Sequence, residues 1–176
     1  MTNLLTVSSS PHIRSNDTVD KIMRDVIIAL VPAMIASIVF FRLGAVKVLF
    51  FSIAACVLTE AVIQKAAGKK LTINDFSAAV TGILLAFNLP PTVSWWLPVV
   101  GGIFAIAIVK QVFGGIGFNF VNPALAARAM LLASWPVQMT SWSAPGADAV
   151  SAATPLAIMN GSAETAAVMP GMMDMF

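Results

Sequence analysis

Two stretches of this chain carry polar side chains at spacings that can host chemistry. In Asp148-Ala-Val-Ser-Ala-Ala-Thr154, followed by Pro155-Leu156, one carboxylate and two hydroxyls stand among alanines. Small neighbours leave the Thr154 hydroxyl uncrowded, which suits a side chain that another enzyme modifies and uses as an attachment point. The same composition fits a plain Ser/Ala linker, and on this loop alone both readings stay open. The second stretch, Gly114-Gly-Ile-Gly-Phe-Asn-Phe-Val-Asn-Pro-Ala-Leu-Ala-Ala-Arg128, is a glycine-rich turn feeding a helix. Asn122 at the cap and Pro123 at the first helical position mark that helix start.

Asn119 and Asn122 each offer a donor and an acceptor, the chemistry that the edge of an isoalloxazine ring needs. Arg128 follows about a turn and a half into the helix, an expensive charge within a bilayer. It either balances an anionic ring or a partner's acid, or caps loop carbonyls as a structural arginine.

Other chemistry is excluded. Cys56 is the single cysteine and His12 the single histidine, so an internal disulfide, an iron–sulfur or zinc site within the chain and ordinary haem ligation are not expected. No Walker loop, nucleotide-binding strand–turn–helix unit, Ser/His/Asp set or pair of catalytic carboxylates is present. Metal ligands and catalytic residues are therefore both predicted to be none, and bond-making chemistry must come through a cofactor or partners.

The elements that position these residues are set by composition. Of 176 residues, 59% are hydrophobic and 10% charged, with mean hydropathy +0.90, against about 25% charged in soluble proteins. Such a chain is an all-α integral membrane protein. The net charge of +2 is modest, and the basic residues flank apolar runs, so they report orientation rather than nucleic-acid binding. The first twenty residues hold no continuous apolar stretch, so no cleavable signal peptide is expected.

Residues 1–24 read as a cytoplasmic N-terminal segment and 25–135 as a membrane domain of about five helical spans. Residues 136–176 read as an outer loop region. The expected spans are 25–41, 45–65, 76–89, 95–109 and 122–134. Arg42 and Lys47 bracket a turn expected at Gly44, and the short third span ends at Asn88-Leu-Pro-Pro91. The Trp95-Trp96 pair is an interfacial anchor. Glu60 reads as a snorkelling residue beside Gln64 and Lys65, with an intramembrane functional acid as the alternative. Lys110 reads as a loop charge. Counted so, inner segments hold Arg14, Lys21, Arg24, Lys65, Lys69, Lys70 and Lys110, and outer turns Arg42 and Lys47. The N-terminus is then cytoplasmic and Thr154 on the outer face. Five spans leave the bundle unfinished, so the chain is expected to be the front part of a longer protein.

The lead-in Ser9-Ser-Pro-His-Ile-Arg14, the Gly114–Arg128 stretch and Asp148-x-x-Ser-Ala-Ala-Thr154 occur in an order that resembles one family. These are the D subunits of Rnf complexes, related to the B subunits of sodium-pumping NADH:quinone reductases. The resemblance implies a subunit, not catalytic alone, of a redox-driven translocase that moves electrons between ferredoxin and NAD in a bacterial or archaeal cytoplasmic membrane. It implies FMN joined through its phosphate to Thr154 by a flavin transferase that recognises Asp148 and Ser151. Ala152 stands where the family often has glycine. It further implies a non-covalent riboflavin within the membrane, at a site the resemblance does not assign to particular residues; Asn119, Asn122 and Arg128 stand, from their own chemistry, as candidate flavin contacts. The implied fold is a polytopic bundle with short and broken helices, an inverted repeat like that of urea and ammonium transporters. The rival reading is a cofactor-free channel or secondary transporter, and a third is a purely structural scaffold.

Overall fold

The computed structural model describes residues 17–68 and 72–141. Asp148, Ser151 and Thr154 lie outside the described residues, as do His12, Arg14, Lys69 and Lys70. Among the described residues every regular element is helical. They are α1 (Val19–Ala66), α2 (Ser77–Phe87), α3 (Trp96–Ile103), which runs on as a π-helix over Phe104–Gln111, α4 (Pro123–Ser134) and the short α5 (Pro136–Thr140).

Helix α1 is 48 residues long, about 72 Å if straight, more than twice a bilayer core of about 30 Å. It is not straight. At Arg42 the backbone takes φ 48°, ψ −128°, and the chain reverses. Met23, near the start of α1, shares a cavity wall with Ser77, Thr81 and Lys110. Phe41 and Ala45, on either side of the break, together line a second cavity with Leu89 and Pro91. The two halves of α1 are therefore antiparallel, the first running with α2 and the second against it. The turn expected at Gly44 falls two residues earlier. Gly44 is committed to packing, since a Cβ there would stand 2.8 Å from the Pro91 carbonyl oxygen. Arg42 is exposed at the bundle end, where its charge costs little.

Small residues set the helix spacing. A Cβ on Gly82 would meet the Ile53 Cα at 2.7 Å, and one on Gly102 would meet the Ala55 Cβ at 2.9 Å. Close approach of this kind drives helix association where both surfaces are apolar. It also lets the Ser52 hydroxyl donate to the Gly82 carbonyl at 2.8 Å. Leu85, Leu97 and Leu131 are fully buried between α2, α3 and α4, and Trp96 meets Trp135 edge to face at 5.1 Å. Trp95 stays exposed against Phe51, the position an interfacial anchor takes.

The outer surface is apolar: Ile35, Val39, Phe40, Phe50, Leu58 and Val62 are each more than half exposed. Within α1 no residue of a window of mean hydropathy 2.5 is fully buried, although Ile27, Leu30 and Met34 pack partly against the core. Lipid is the solvent such a surface fits. Helix α2 is shorter than the span expected over 76–89, while the continuous helix Trp96–Gln111 and α4 match the spans expected over 95–109 and 122–134. The 11 residues of α2 and 12 of α4 reach about 16–18 Å, and among the described residues α1 alone is long and apolar enough to cross a membrane. The double proline explains the early stop of α2: neither Pro90 nor Pro91 can donate, and Asn88 and Leu89 close the helix with bonds to Leu85 and Ala86.

Candidate functional site

The end of the bundle that holds the start of α2 is polar inside. Asp75 accepts from both the backbone N–H and the hydroxyl of Ser77, at 2.9 and 2.6 Å, so a carboxylate caps α2 at its positive pole. Ser77 Oγ in turn accepts from Lys110 Nζ at 2.6 Å. Lys110 also donates to Glu60 Oε1 at 2.7 Å, and the two side chains are 4% and 1% exposed. Glu60 Oε1 further accepts from Gln111 Nε2 at 3.0 Å and Gln64 Nε2 at 3.2 Å. Gln64 is anchored by Thr72 through Nε2 to Oγ1 and through the Thr72 N–H to Oε1.

This network corrects two expectations. Glu60 does not snorkel to an interface; it is buried in an ion pair. Lys110 is not a loop charge but lies inside the π-helix, so the count of inner basic residues drops from seven to six against two. The signal was present in the sequence: two opposite charges, each within an apolar run, are costly unless they meet. Reading each against its own neighbours in the chain hid the pairing across 50 residues.

Lys110 lies within the π-helical segment Phe104–Gln111, a winding that is rare in proteins and frequent at functional sites.

Two cavities flank Lys110. One, of about 350 Å³, is lined by Lys110, Ser77, Thr81, Asn119, Asn122 and the apolar Met23, Leu84 and Ile116, among others. The other, of about 370 Å³, is lined by Glu60, Gln64, Asp75, Gln111, Lys110 and the glycine turn. Gly114, Gly115 and Gly117 hold φ of 109°, 102° and 86°, a backbone that side chains other than glycine rarely tolerate. That turn, closed by Phe113 edge to face on Phe120 at 4.9 Å, brings Asn119 to the first cavity. Asn122 caps α4, accepting from the Ala124 N–H at 2.9 Å, as its sequence predicted.

Of the residues singled out in the sequence, Asn119 and Asn122 thus share one cavity wall. Arg128 is not brought to it. Its guanidinium is exposed and donates to Asn88 Oδ1 at 3.0 Å, while Asn88 donates to the Leu84 carbonyl at 2.7 Å. Arg128 thus stands at the negative pole of α2. Asp148, Ser151 and Thr154 lie outside the described residues. Cys56 is buried, with Sγ 3.9 Å from the Gly102 carbonyl, and no group of three potential metal ligands occurs among the described residues.

What the first cavity can do follows from its walls. Asn119 spends one amide donor on the Val121 carbonyl, and Asn122 spends its oxygen on the cap. Among the described residues the Asn119 oxygen, its second amide N–H and the Asn122 amide NH2 group make no hydrogen bond, so the pair of side chains keeps both acceptor and donor capacity at the cavity wall. Between apolar faces, that pair suits the edge of a flat ring carrying adjacent carbonyl and N–H groups.

Comparison with known proteins agrees along the chain. The family described as "NQR2, RnfD, RnfE family" matches residues 6–176. The chain is 56% identical over 173 residues to the D subunit of the Na(+)-translocating ferredoxin:NAD(+) oxidoreductase complex of Acetobacterium woodii, covering 98% of this chain and 54% of that protein. It is 46% identical over 160 residues to the D subunit of the proton-translocating ferredoxin:NAD(+) oxidoreductase complex of Clostridium ljungdahlii, covering 89% and 48%. The D subunit of an ion-translocating oxidoreductase complex of Shewanella denitrificans is 42% identical over 155 residues, 87% and 44% of the two chains. The chain spans about half the length of these relatives.

Proposed function

The chain belongs to the NQR2, RnfD, RnfE family, and from that premise we propose that it works as a membrane subunit of an ion-translocating ferredoxin:NAD oxidoreductase complex. The observation that carries this reading is the 56% identity across 98% of the chain with a relative of that name. The lipid-type surface supports it. In this reading the chain is multi-pass, with its N-terminus cytoplasmic, and is not catalytic alone. Further subunits bring the electron donor and acceptor. The inverted-repeat architecture belongs to the same proposal.

Thr154 carries FMN through a phosphoester, made by a flavin transferase that recognises Asp148 and Ser151. A second, non-covalent flavin such as riboflavin sits with its polar ring edge on Asn119 and Asn122. The donor and acceptor left over there fit that edge, and Met23, Leu84 and Ile116 supply apolar walls. When bound, the flavins supply electron transfer. The chain's own part is to hold the ring edge, keep bulk water from it and present Lys110 beside it. A positive charge there favours whichever form of the ring is more negative.

The test is in-gel ultraviolet fluorescence of the denatured chain, co-expressed with its transferase, against Thr154→Ala. A fluorescent band in the wild type and none in the mutant is expected. A dark wild-type band, with the transferase active on a control protein, overturns the covalent flavin and favours the cofactor-free transporter.

A further inference from the structure

The end of the bundle away from the polar node has a cavity and a charge of its own. The cavity, of about 120 Å³, lies between the two halves of α1 and the end of α2, with Phe41, Val48, Phe87, Leu89 and Pro91 in its wall. Among the described residues Ser37 is its one polar liner, and that hydroxyl is already spent on the Met34 carbonyl at 2.8 Å. An apolar space of this kind offers water no partners. It has room for about four groups of ~30 Å³ each, which is the end of an alkyl chain. Arg42 directly follows Phe41, and Lys47 directly precedes Val48, so two cations flank the cavity wall. Arg42 is exposed and Lys47 half-buried, and among the described residues neither makes an ion pair or a hydrogen bond. Arg128, at the same end, is held by Asn88. The acids among the described residues, Asp17, Asp20, Asp25, Glu60 and Asp75, all stand toward the other end. Lys47 is one helical turn from Phe51, whose ring lies 5.8 Å from that of the exposed Trp95. A tryptophan so placed marks headgroup depth.

We propose that this end binds one anionic phospholipid, with its headgroup phosphate on Arg42 and Lys47 and the end of one acyl chain in the Phe41/Leu89 cavity. Charge complementarity and the dry cavity choose this occupant together. A free anion has no use for the cavity, and a zwitterionic headgroup brings its own ammonium against the same two cations. A guanidinium takes a phosphate through two parallel hydrogen bonds. Lys47 buries its stem along the helix and carries its ammonium out to headgroup level. Near a membrane surface each such cation is worth about fivefold in affinity for an anionic lipid. The site also gives a reason for the backbone at Arg42, where φ 48°, ψ −128° holds an arginine in a conformation that glycine adopts at less cost. In protein stripped of lipid only that strain remains, and this is the state in which glycine at the reversal stabilises. With the lipid bound, its chain fills the space between the antiparallel halves of α1 and its phosphate fixes the turn that joins them.

Such a site needs the chain to lie in a membrane and needs no flavin. The intact complex is stripped of lipid in detergent and given phosphatidylglycerol that carries a photoreactive diazirine near the end of one acyl chain. Crosslinks in this chain are expected at Phe41, Phe87 and Leu89. Unlabelled phosphatidylglycerol should compete roughly twentyfold better than phosphatidylcholine with the same chains, and added NaCl should shrink that ratio. In Arg42→Gln/Lys47→Gln the preference is lost, while phosphatidylcholine competes as it does in the wild type. Ser37→Leu fills the cavity and weakens both lipids by a similar factor; Ser37→Ala, which leaves the room, does not. If the double variant does not assemble, the salt dependence of the wild type and the Ser37 pair decide. Crosslinks that fall only elsewhere, equal competition by the two lipids in the wild type, a preference that survives in the double variant, or wild-type labelling in Ser37→Leu overturns the proposal. Competition by inorganic phosphate as strong as by phosphatidylglycerol also overturns it, since it shows an anion site without a tail.

Discussion

Lys110 Nζ lies 2.7 Å from Glu60 Oε1, and the two side chains are only 4% and 1% exposed. Two apolar helical segments, 50 residues apart in the chain, thus each carry a charge that only the other makes tolerable. The pair, with Ser77 and Gln64 around it, ties the second half of α1, the start of α2 and the π-helix into one polar node.

Removing one partner should therefore hurt more than removing both. Lys110→Met leaves Glu60 buried without a counter-ion and is expected to lose about 3–5 kcal/mol. The double variant Glu60→Gln/Lys110→Met should recover most of that. Thermal unfolding in detergent, at fixed sodium concentration, reads the difference; equal losses in the single and the double variant would contradict a charge-pair account.

Gly82 and Gly115 should respond to alanine for different reasons. At Gly82 the new Cβ meets backbone, the Ile53 Cα at 2.7 Å, so α1 and α2 must separate, at about 1–3 kcal/mol. At Gly115 the space is open but φ is 102°, and the cost, about 1–3 kcal/mol, is local strain confined to a surface turn that has its own freedom to relax. Gly82→Ala should lower the unfolding temperature more than Gly115→Ala. The reverse order would mean that the tight crossing of α1 and α2 is not a limiting contact.

Arg42→Gly is expected to stabilise. The reversal in α1 holds an arginine at φ 48°, ψ −128°, a backbone costing a non-glycine residue about 1–3 kcal/mol. Glycine relieves that strain, though its greater freedom in the unfolded chain cancels about 0.5–1 kcal/mol of the gain. An unfolding temperature that falls instead would show that the exposed guanidinium holds the turn through a contact with lipid or a partner.

Asn122 carries two separable duties. Asn122→Asp keeps the oxygen that accepts from the Ala124 N–H and should leave stability nearly unchanged. Asn122→Ala should cost about 1 kcal/mol through the lost cap. Both remove the amide donor facing the cavity, so both should lower retention of the non-covalent flavin. Full retention in Asn122→Asp, measured by flavin content per purified chain, would take Asn122 out of the ring contact.

Much of this protein was legible as a string of residues. Composition set the all-helical, lipid-facing class because no aqueous fold tolerates so much exposed apolar surface. Asn122-Pro123 and Asn88-Leu-Pro-Pro91 marked where helices begin and end because capping and proline chemistry act over a few residues. The triple glycine turn was readable for the same reason. The ordered motifs, rather than any single contact, carried the resemblance that the family match bears out.

What the chain could not show in one dimension is whatever depends on two segments meeting. The reversal falls at Arg42, and Gly44 packs instead against Pro91, a residue far along the chain. Arg128 turns to Asn88 rather than to Asn119 because α4 runs alongside α2. Glu60 and Lys110, each read against its nearest neighbours, looked like boundary charges; folding put them together. Local patterns are fixed by interactions between adjacent residues, so the sequence determined where helices start, stop and face lipid. The pairing of buried charges is settled by helix crossing and rotation, which only the tertiary structure decided.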